Sequence, residues 1–200
     1  MLYPAIPPQE FQRQREVARY RSRLVRRRGL LEAVVQRAVA LAGADAGHVS
    51  IIEDDCHWNA AKVGTRRNLF GRSESFCAHT ILKDLPLVVP NLAWDARFFD
   101  NPAVINQGMR FYAGVPIEMS SGYNIGALCV LGLTPRRTGS RDLARKLQAF
   151  ADEVVQVLED DRPDVTTDSQ GPASRPVRVY GDSPDETPVL ATRSYATLDG

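Results

Sequence analysis

Residues 74–82 read ESFCAHTIL and set a thiol, an imidazole and a hydroxyl, Cys77, His79 and Thr80, in an otherwise apolar segment. A cysteine and a histidine this close can hold a metal, run thiol chemistry or anchor a cofactor. On a helix, however, residues two apart stand about 200° apart around the axis. Cys77 and His79 therefore cannot readily share one ion, and no metal is expected. Cys77 instead packs inward with Ile81, four positions on, as free cysteines commonly do. His79 is left free to exchange one hydrogen bond with a ligand as a neutral imidazole. The other thiols, Cys56 and Cys129, are far off in sequence and form no CxxC motif, so a disulfide framework is not expected. A thiol enzyme needs a cysteine of depressed pKa with a second thiol in reach. Cys129 lies in GALCVLG, where apolar neighbours raise its pKa. Paired carboxylates, a Gly-rich phosphate loop and a nucleophile-base pair are absent from the sequence, so the residues point to no catalysis.

The segment AWDARFFDNPAV, residues 93–104, is richer. It places Trp94, Phe98 and Phe99 beside Asp95, Arg97, Asp100 and Asn101, and aromatic walls with a few polar groups are what a small-molecule pocket requires. The same residues suit a turn: Asp95 and Asn101 as turn and cap residues, Arg97 paired with Asp100 at the surface, and the aromatics closing a core. Both uses remain open. In the following strand, RFYAGVPI, alternation sends Arg110, Tyr112 and Gly114 to one face and Phe111, Ala113 and Val115 to the other. One of those sets lines any cavity that exists.

The elements that must position these residues follow from periodicity. Val17, Tyr20, Leu24, Leu31, Val34, Ala38 and Leu41 recur at steps of three and four, with Arg27 in the missing place. This is a helical seam over about Pro8 to Ala42, either one helix or two joined near Gly29. Residues 10–28 carry eight Arg against two Glu, too basic and thinly apolar to enter a core, and are expected to project; residues 31–42 have the broad apolar face of a core helix. GHVSIIED and HWNAAKVG flank a DD turn and read as a hairpin, followed by a polar loop over 64–74. Ser73 or Ser75 caps a short helix through Lys83. LPLVVP is an edge strand between prolines. Asn101-Pro102 opens a helical turn that Gly108 ends. MRFYAGVPIEM and YNIGALCVLGL are strands joined through SSG, and Ser140 caps a closing helix with Leu143, Leu147, Phe150, Val154 and Leu158 on its apolar stripe.

With 200 residues, 44% hydrophobic and 24% charged, the chain holds one domain with a proper core and some spare length. Apolar runs fall short of the roughly 18 to 20 residues of a membrane span, and the N-terminus lacks a basic region followed by an apolar one. A cytoplasmic protein is the expectation. A net charge of +1 gives no general argument for nucleic acid. From 161 on, four Arg face seven acids in a Pro-, Ser- and Thr-rich composition that reads as a disordered tail.

The segments SFCAHTIL, LVVPNLAWDARFFDNPAV, RFYAGVPI and GYNIGALCVL resemble, in this order, a sensory branch of the GAF domain family. The resemblance covers roughly residues 30–159. It implies an α+β fold with an antiparallel five- or six-stranded sheet of order 2-1-5-4-3, helices on both faces, and a pocket between the sheet and the irregular segment. Members of this branch mostly sense small molecules or mediate dimerisation and often accompany histidine kinases or diguanylate cyclases. The Cys56-His57 pair is similar to the bilin attachment of the phytochrome branch, but it falls in the first hairpin's turn rather than in the pocket region. Free methionine sulfoxide reductases also use a GAF fold, though their motifs are not seen around Cys129. The resulting expectation is a basic helix over 1–29 that dimerises, a GAF-like domain over 30–160 and a tail over 161–200. The module would bind an unidentified small molecule through His79, Trp94, Asp95, Phe98, Phe99, Asn101, Phe111 and Tyr112, and signal as a homodimer through a partner protein. A GAF-type thiol enzyme, or a pure assembly module with a filled core, is the alternative.

Overall fold

The computed structural model describes residues 1–136 and 140–161; the greater part of the expected tail lies outside the described residues. Two helices open the chain, α1 over Glu10–Arg26 and α2 over Arg28–Ala42. They meet at Arg27, two residues before the glycine where a joint was expected. Gly43, with φ of 52°, ends α2 in the left-handed conformation that costs glycine little. The hairpin follows, β1 (Ala46–Glu53) and β2 (Cys56–Val63) turning through Asp54 and Asp55.

Four more strands complete an antiparallel sheet: β3 (Leu69–Gly71), β4 (Leu87–Val89), β5 (Phe111–Glu118) and β6 (Asn124–Gly132), in the order β3-β2-β1-β6-β5-β4. Without β3 this is the expected order. β3 is the addition, a short run inside the stretch read as a polar loop, pairing with the outer side of β2. The helices α3 (Phe76–Thr80), α4 (Pro102–Ile105) and α5 (Ser140–Glu159) fill the remaining connections.

The two faces of the sheet carry separate cores. On one, Phe111, Ala113, Val115 and Ile117 of β5 and Leu128 and Val130 of β6 pack under α1, α2 and α5. On the other, Tyr112, Ala127, Cys129 and Leu131 pack under α3, Ile81, Leu92, Phe98, Val104 and Met109. Strict alternation along β5 and β6 produces this division. In the hairpin the register slips, Val49 opposing Ala61 but Ser50 opposing Asn59, so Ala60 and Ala61 both bury on the helical face.

The N-terminal helix does not project. Val17, Tyr20 and Leu24 are buried in the helical-face core, so the seam has a core to enter. The reason is what the arginines do. Arg13 donates to the carbonyls of Ile52, Asn124 and Ile125 at the ends of β1 and β6. Arg23 donates to the Leu158 carbonyl and Arg27 to that of Val157, at the C-terminus of α5, where cations suit the orphan carbonyls. A basic helix can thus bury along its length by bonding backbone ends rather than by presenting a wide apolar face. Glu10 ties the start of α1 to Arg13 and to Arg72. Burial opposes its charge, but hydrogen bonds from Arg13, Arg72 and Gln14 bring its pKa down from 4.5 to about 2.

Candidate functional site

A cavity of about 60 Å³ lies on the α3 face of the sheet. Its floor is His48 of β1, His57 of β2 and Cys129 of β6; its walls are Phe70, Glu74, Ser75, Phe76, Asn101, Met109 and their neighbours. Local chemistry sets those walls. Ser75 caps α3 by accepting from the Ala78 N–H at 3.0 Å, as a serine at that position should. Asn101 accepts from the Ala103 N–H at 2.9 Å as the cap of α4, and its amide donates to the Glu74 carbonyl at 2.8 Å. One asparagine therefore starts a helix and closes the cavity against the turn before α3.

The two histidines differ in what they have left to offer. His57 lies 2.9 Å from Asn59 Oδ1 through Nε2 and 2.7 Å from Ser75 Oγ through Nδ1. Because an amide oxygen only accepts, Nε2 carries the proton, Nδ1 accepts from the serine hydroxyl, and His57 is fully engaged. Burial brings its pKa down from 6.5 to about 4. His48 turns Nδ1 toward Cys129 Sγ at 3.8 Å, while its buried Nε2 has no partner among the described residues. Burial, with the nearby His57 and Lys62, lowers its pKa from 6.5 to about 3. Both rings are neutral at physiological pH.

Behind Cys129 runs a chain of small polar groups. Cys129 Sγ is 3.5 Å from Cys77 Sγ, Cys77 is 3.3 Å from the Tyr112 hydroxyl, and that hydroxyl is 2.6 Å from Thr80 Oγ1. Gly114 makes room for it: a Cβ there would fall 2.1 Å from the Tyr112 hydroxyl.

The residues singled out from sequence are distributed as follows. Asn101 lines the cavity. Phe98 and Tyr112 are buried beside it as packing: Phe98 meets Phe76 edge-on at 5.1 Å and His79 at 4.9 Å. His79 does not reach the cavity; its Nε2 lies 3.2 Å from the Leu2 carbonyl, in the N-terminal segment. Asp95 binds Arg97 through both carboxylate oxygens, at 2.9 and 2.7 Å, in place of the Arg97–Asp100 pair considered from sequence. Trp94 and Phe99 point outward, 88% and 54% exposed, and stay outside the lining of this cavity. Phe111 sits on the opposite face of the sheet, under the Arg136 guanidinium at 4.3 Å, as the β5 alternation requires once Tyr112 faces α3. Sequence reasoning missed His48 and His57. The available signal was two polar pairs at strand spacing, His48 with Ser50 and His57 with Asn59, inside otherwise apolar strands. His57 stands at the head of the strand read from HWNAAKVG, as the second residue of β2, but was weighed only as half of a Cys-His pair beside the turn.

Comparison with known proteins agrees with this architecture. Residues 26–158 match the GAF domain family. Over 105 residues the chain is 38% identical to the cyclic di-GMP phosphodiesterase PA2567 of Pseudomonas aeruginosa, an alignment covering 52% of this chain. The chain spans 18% of that relative's length. Among solved structures, a GAF domain region from Geobacter sulfurreducens is similar at a TM-score of 0.56 and 12% identity, covering 72% of this chain and 98% of that one. The type II free methionine-R-sulfoxide reductase of Thermoplasma acidophilum follows at 0.55 and 15%, covering 66% and 91%. The chromophore-binding domain of Stigmatella aurantiaca phytochrome P1 superposes at 0.53 and 15%, covering 80% and 63%. At these identities the likeness is one of fold.

Proposed function

The chain belongs to the GAF domain family, and from that premise we propose that it is a non-catalytic, small-molecule-sensing module of signal transduction. The observation that carries this reading is the cavity itself: a partly open space that sets Phe70, Phe76, Met109 and Leu131 beside polar side chains such as Ser75 and Asn101, floored by a buried imidazole nitrogen that no other described residue engages. Unpaired buried polar atoms cost about 1 to 3 kcal/mol, so a ligand that engages His48 Nε2 relieves that cost. Catalysis has less support. Cys129, the thiol in the cavity, is pushed well above its ordinary pKa by its hydrogen bond with Cys77 and by burial, away from the thiolate a reductase needs. Cys77, 3.5 Å away, is raised by burial but brought down overall by its bonds with Cys129, Ser50 and Tyr112; it is buried and does not line the cavity, so a ligand there does not meet the lowered thiol.

The cavity spans the sheet and the irregular segment, so an occupant touches both. It would favour one packing of residues 91–109 over another, a population shift for which a coupling of about 1 to 3 kcal/mol suffices. The change would pass through β5 and β6, whose opposite face carries α1, α2 and α5. Signalling would then be read by a second copy or by a partner such as a histidine kinase or a cyclase. Since Val17, Tyr20 and Leu24 are spent on the core, a homodimer would use the apolar side chains left outside, Phe11, Val25, Leu30 and Leu41. None of the helices among the described residues is long and apolar enough to cross a membrane.

Hydrogen exchange tests the reading. Adding the small-molecule fraction of the source cells should slow exchange at the amides of residues 91–109 and in α3, and change it in α5. Unaltered exchange in those segments at saturating extract would refute a sensing role for the cavity.

A further inference from the structure

We propose that Cys77 and Cys129 are a modification site, joined into a reversible disulfide by a small peroxide that enters through the cavity. The two sulfurs lie 3.5 Å apart, one on α3 and the other on β6, although 52 residues separate them along the chain. Both are free thiols. A disulfide holds its sulfurs at about 2.05 Å, so a movement of about 1.5 Å joins them. The pair requires of the cavity only that it admit a peroxide, whether or not a metabolite is sensed there.

Position gives the two cysteines different parts. Cys129 lines the cavity, beside His48 Nδ1 at 3.8 Å, while Cys77 stands behind it and out of the lining. At about 60 Å³ the cavity exceeds the roughly 10 to 15 Å³ that one water needs, so hydrogen peroxide fits against the Cys129 sulfur. The chemistry then takes two steps. Cys129 Sγ attacks one peroxide oxygen; the O–O bond breaks as an S–O bond forms, and the thiol proton leaves with the other oxygen as water. The product is a sulfenic acid facing a second thiol. Cys77 Sγ attacks the Cys129 sulfur, the S–S bond forms as the S–O bond breaks, and the hydroxyl departs with the Cys77 proton as a second water. The two sulfurs give up two electrons, and the peroxide takes them.

The surroundings fit this order. Burial raises the pKa of Cys77, but bonds with Cys129, Ser50 and Tyr112 lower it overall, which favours the thiolate that must attack in the second step. Cys129 is held as a thiol, so the first step is slow and the pair records sustained exposure. The bridge ties α3 to β6 and draws Cys129 from His48. Ser75, the cap of α3, holds His57, so oxidation reaches both histidines of the cavity floor.

Peptide mapping by mass spectrometry tests this on the whole chain, treated with hydrogen peroxide in its native state and in urea. The native protein should lose two hydrogens, join its Cys77 and Cys129 peptides, and return to free thiols with dithiothreitol, while exposed Cys56 stays out of the bridge. In urea, where loop closure favours the shorter loop, the Cys56–Cys77 bridge should lead instead. Cys77→Ser should stop at one oxygen added to Cys129, and Cys129→Ser should leave Cys77 a thiol. Ala103→Leu, which narrows the cavity from α4, should slow the bridge severalfold and leave the oxidation of Cys56 as it was. A native protein that lacks the Cys77–Cys129 bridge after Cys56 has been fully oxidised, or that gives the same bridges as in urea, overturns the proposal. So does a bridge that forms in Ala103→Leu at the wild-type rate, since the peroxide would not then pass through the cavity.

Discussion

Between pH 6 and pH 4.5 the protein should lose stability steeply, at a slope approaching about 2.7 kcal/mol per pH unit. The cause is the pair of histidines in the cavity floor. In the unfolded chain each takes a proton near 6.5; in the folded protein burial holds His48 down to about 3 and His57 to about 4. Folded pKa values lie below unfolded ones, so the stabilisation is fully present above 6.5 and is lost as the pH falls toward the folded values. Near pH 5 the unfolded state binds two protons that the native state refuses, and each contributes about 1.36 kcal/mol per unit. His79, lowered by partial burial, acts in the same direction. Glu10, with its pKa lowered to about 2, adds acid sensitivity only below 4.5. Urea unfolding at pH 7, 6 and 5 reads the slope, and His57→Gln should roughly halve it. Equal stability at pH 7 and pH 5 would show that the histidines are not buried as neutral rings.

Phe98→Ala should cost about 3 to 5 kcal/mol in the ligand-free protein. The side chain is 1% exposed, edge-on to Phe76 and His79, and covered by the Arg97 guanidinium at 4.8 Å. It is a wedge between α3 and the irregular segment, and its removal leaves a void lined by aromatic edges. Trp94→Ala and Phe99→Ala, a few residues away, should fall within about 0.5 kcal/mol of wild type, since both side chains project into solvent. Chemical denaturation of the three variants separates them. A cost below about 1 kcal/mol for Phe98→Ala would mean that this ring faces space rather than core.

The contrast among those three aromatics shows where the sequence is legible. Strand alternation is a property of the backbone, so the division of β5 into Tyr112 on one face and Phe111 on the other was readable; which face held the cavity was not. Caps are equally local, and Ser75 and Asn101 stand where a serine before an apolar run and an Asn-Pro pair belong. The irregular segment has no period, so nothing in AWDARFF told Phe98, turned inward, from Trp94 and Phe99, turned outward. The basic helix misled for a different reason. Arginine reads as a surface residue, yet Arg13, Arg23 and Arg27 bond carbonyls at the ends of strands and of α5, and those partners exist only after folding. His48 and His57 escaped notice because their strands are otherwise apolar and they meet only when the hairpin closes.

The central claim, that the cavity over His48 holds a small molecule, is tested most directly by native mass spectrometry of the protein purified from its source organism. Wild type and Ala103→Leu are compared, the added carbons being placed to fill the cavity of about 60 Å³ from α4. The account predicts a small molecule retained at one per chain by the wild type and missing from the variant. Wild-type protein that carries no such mass, and takes up none when returned to the small-molecule fraction of its own cells, would contradict it.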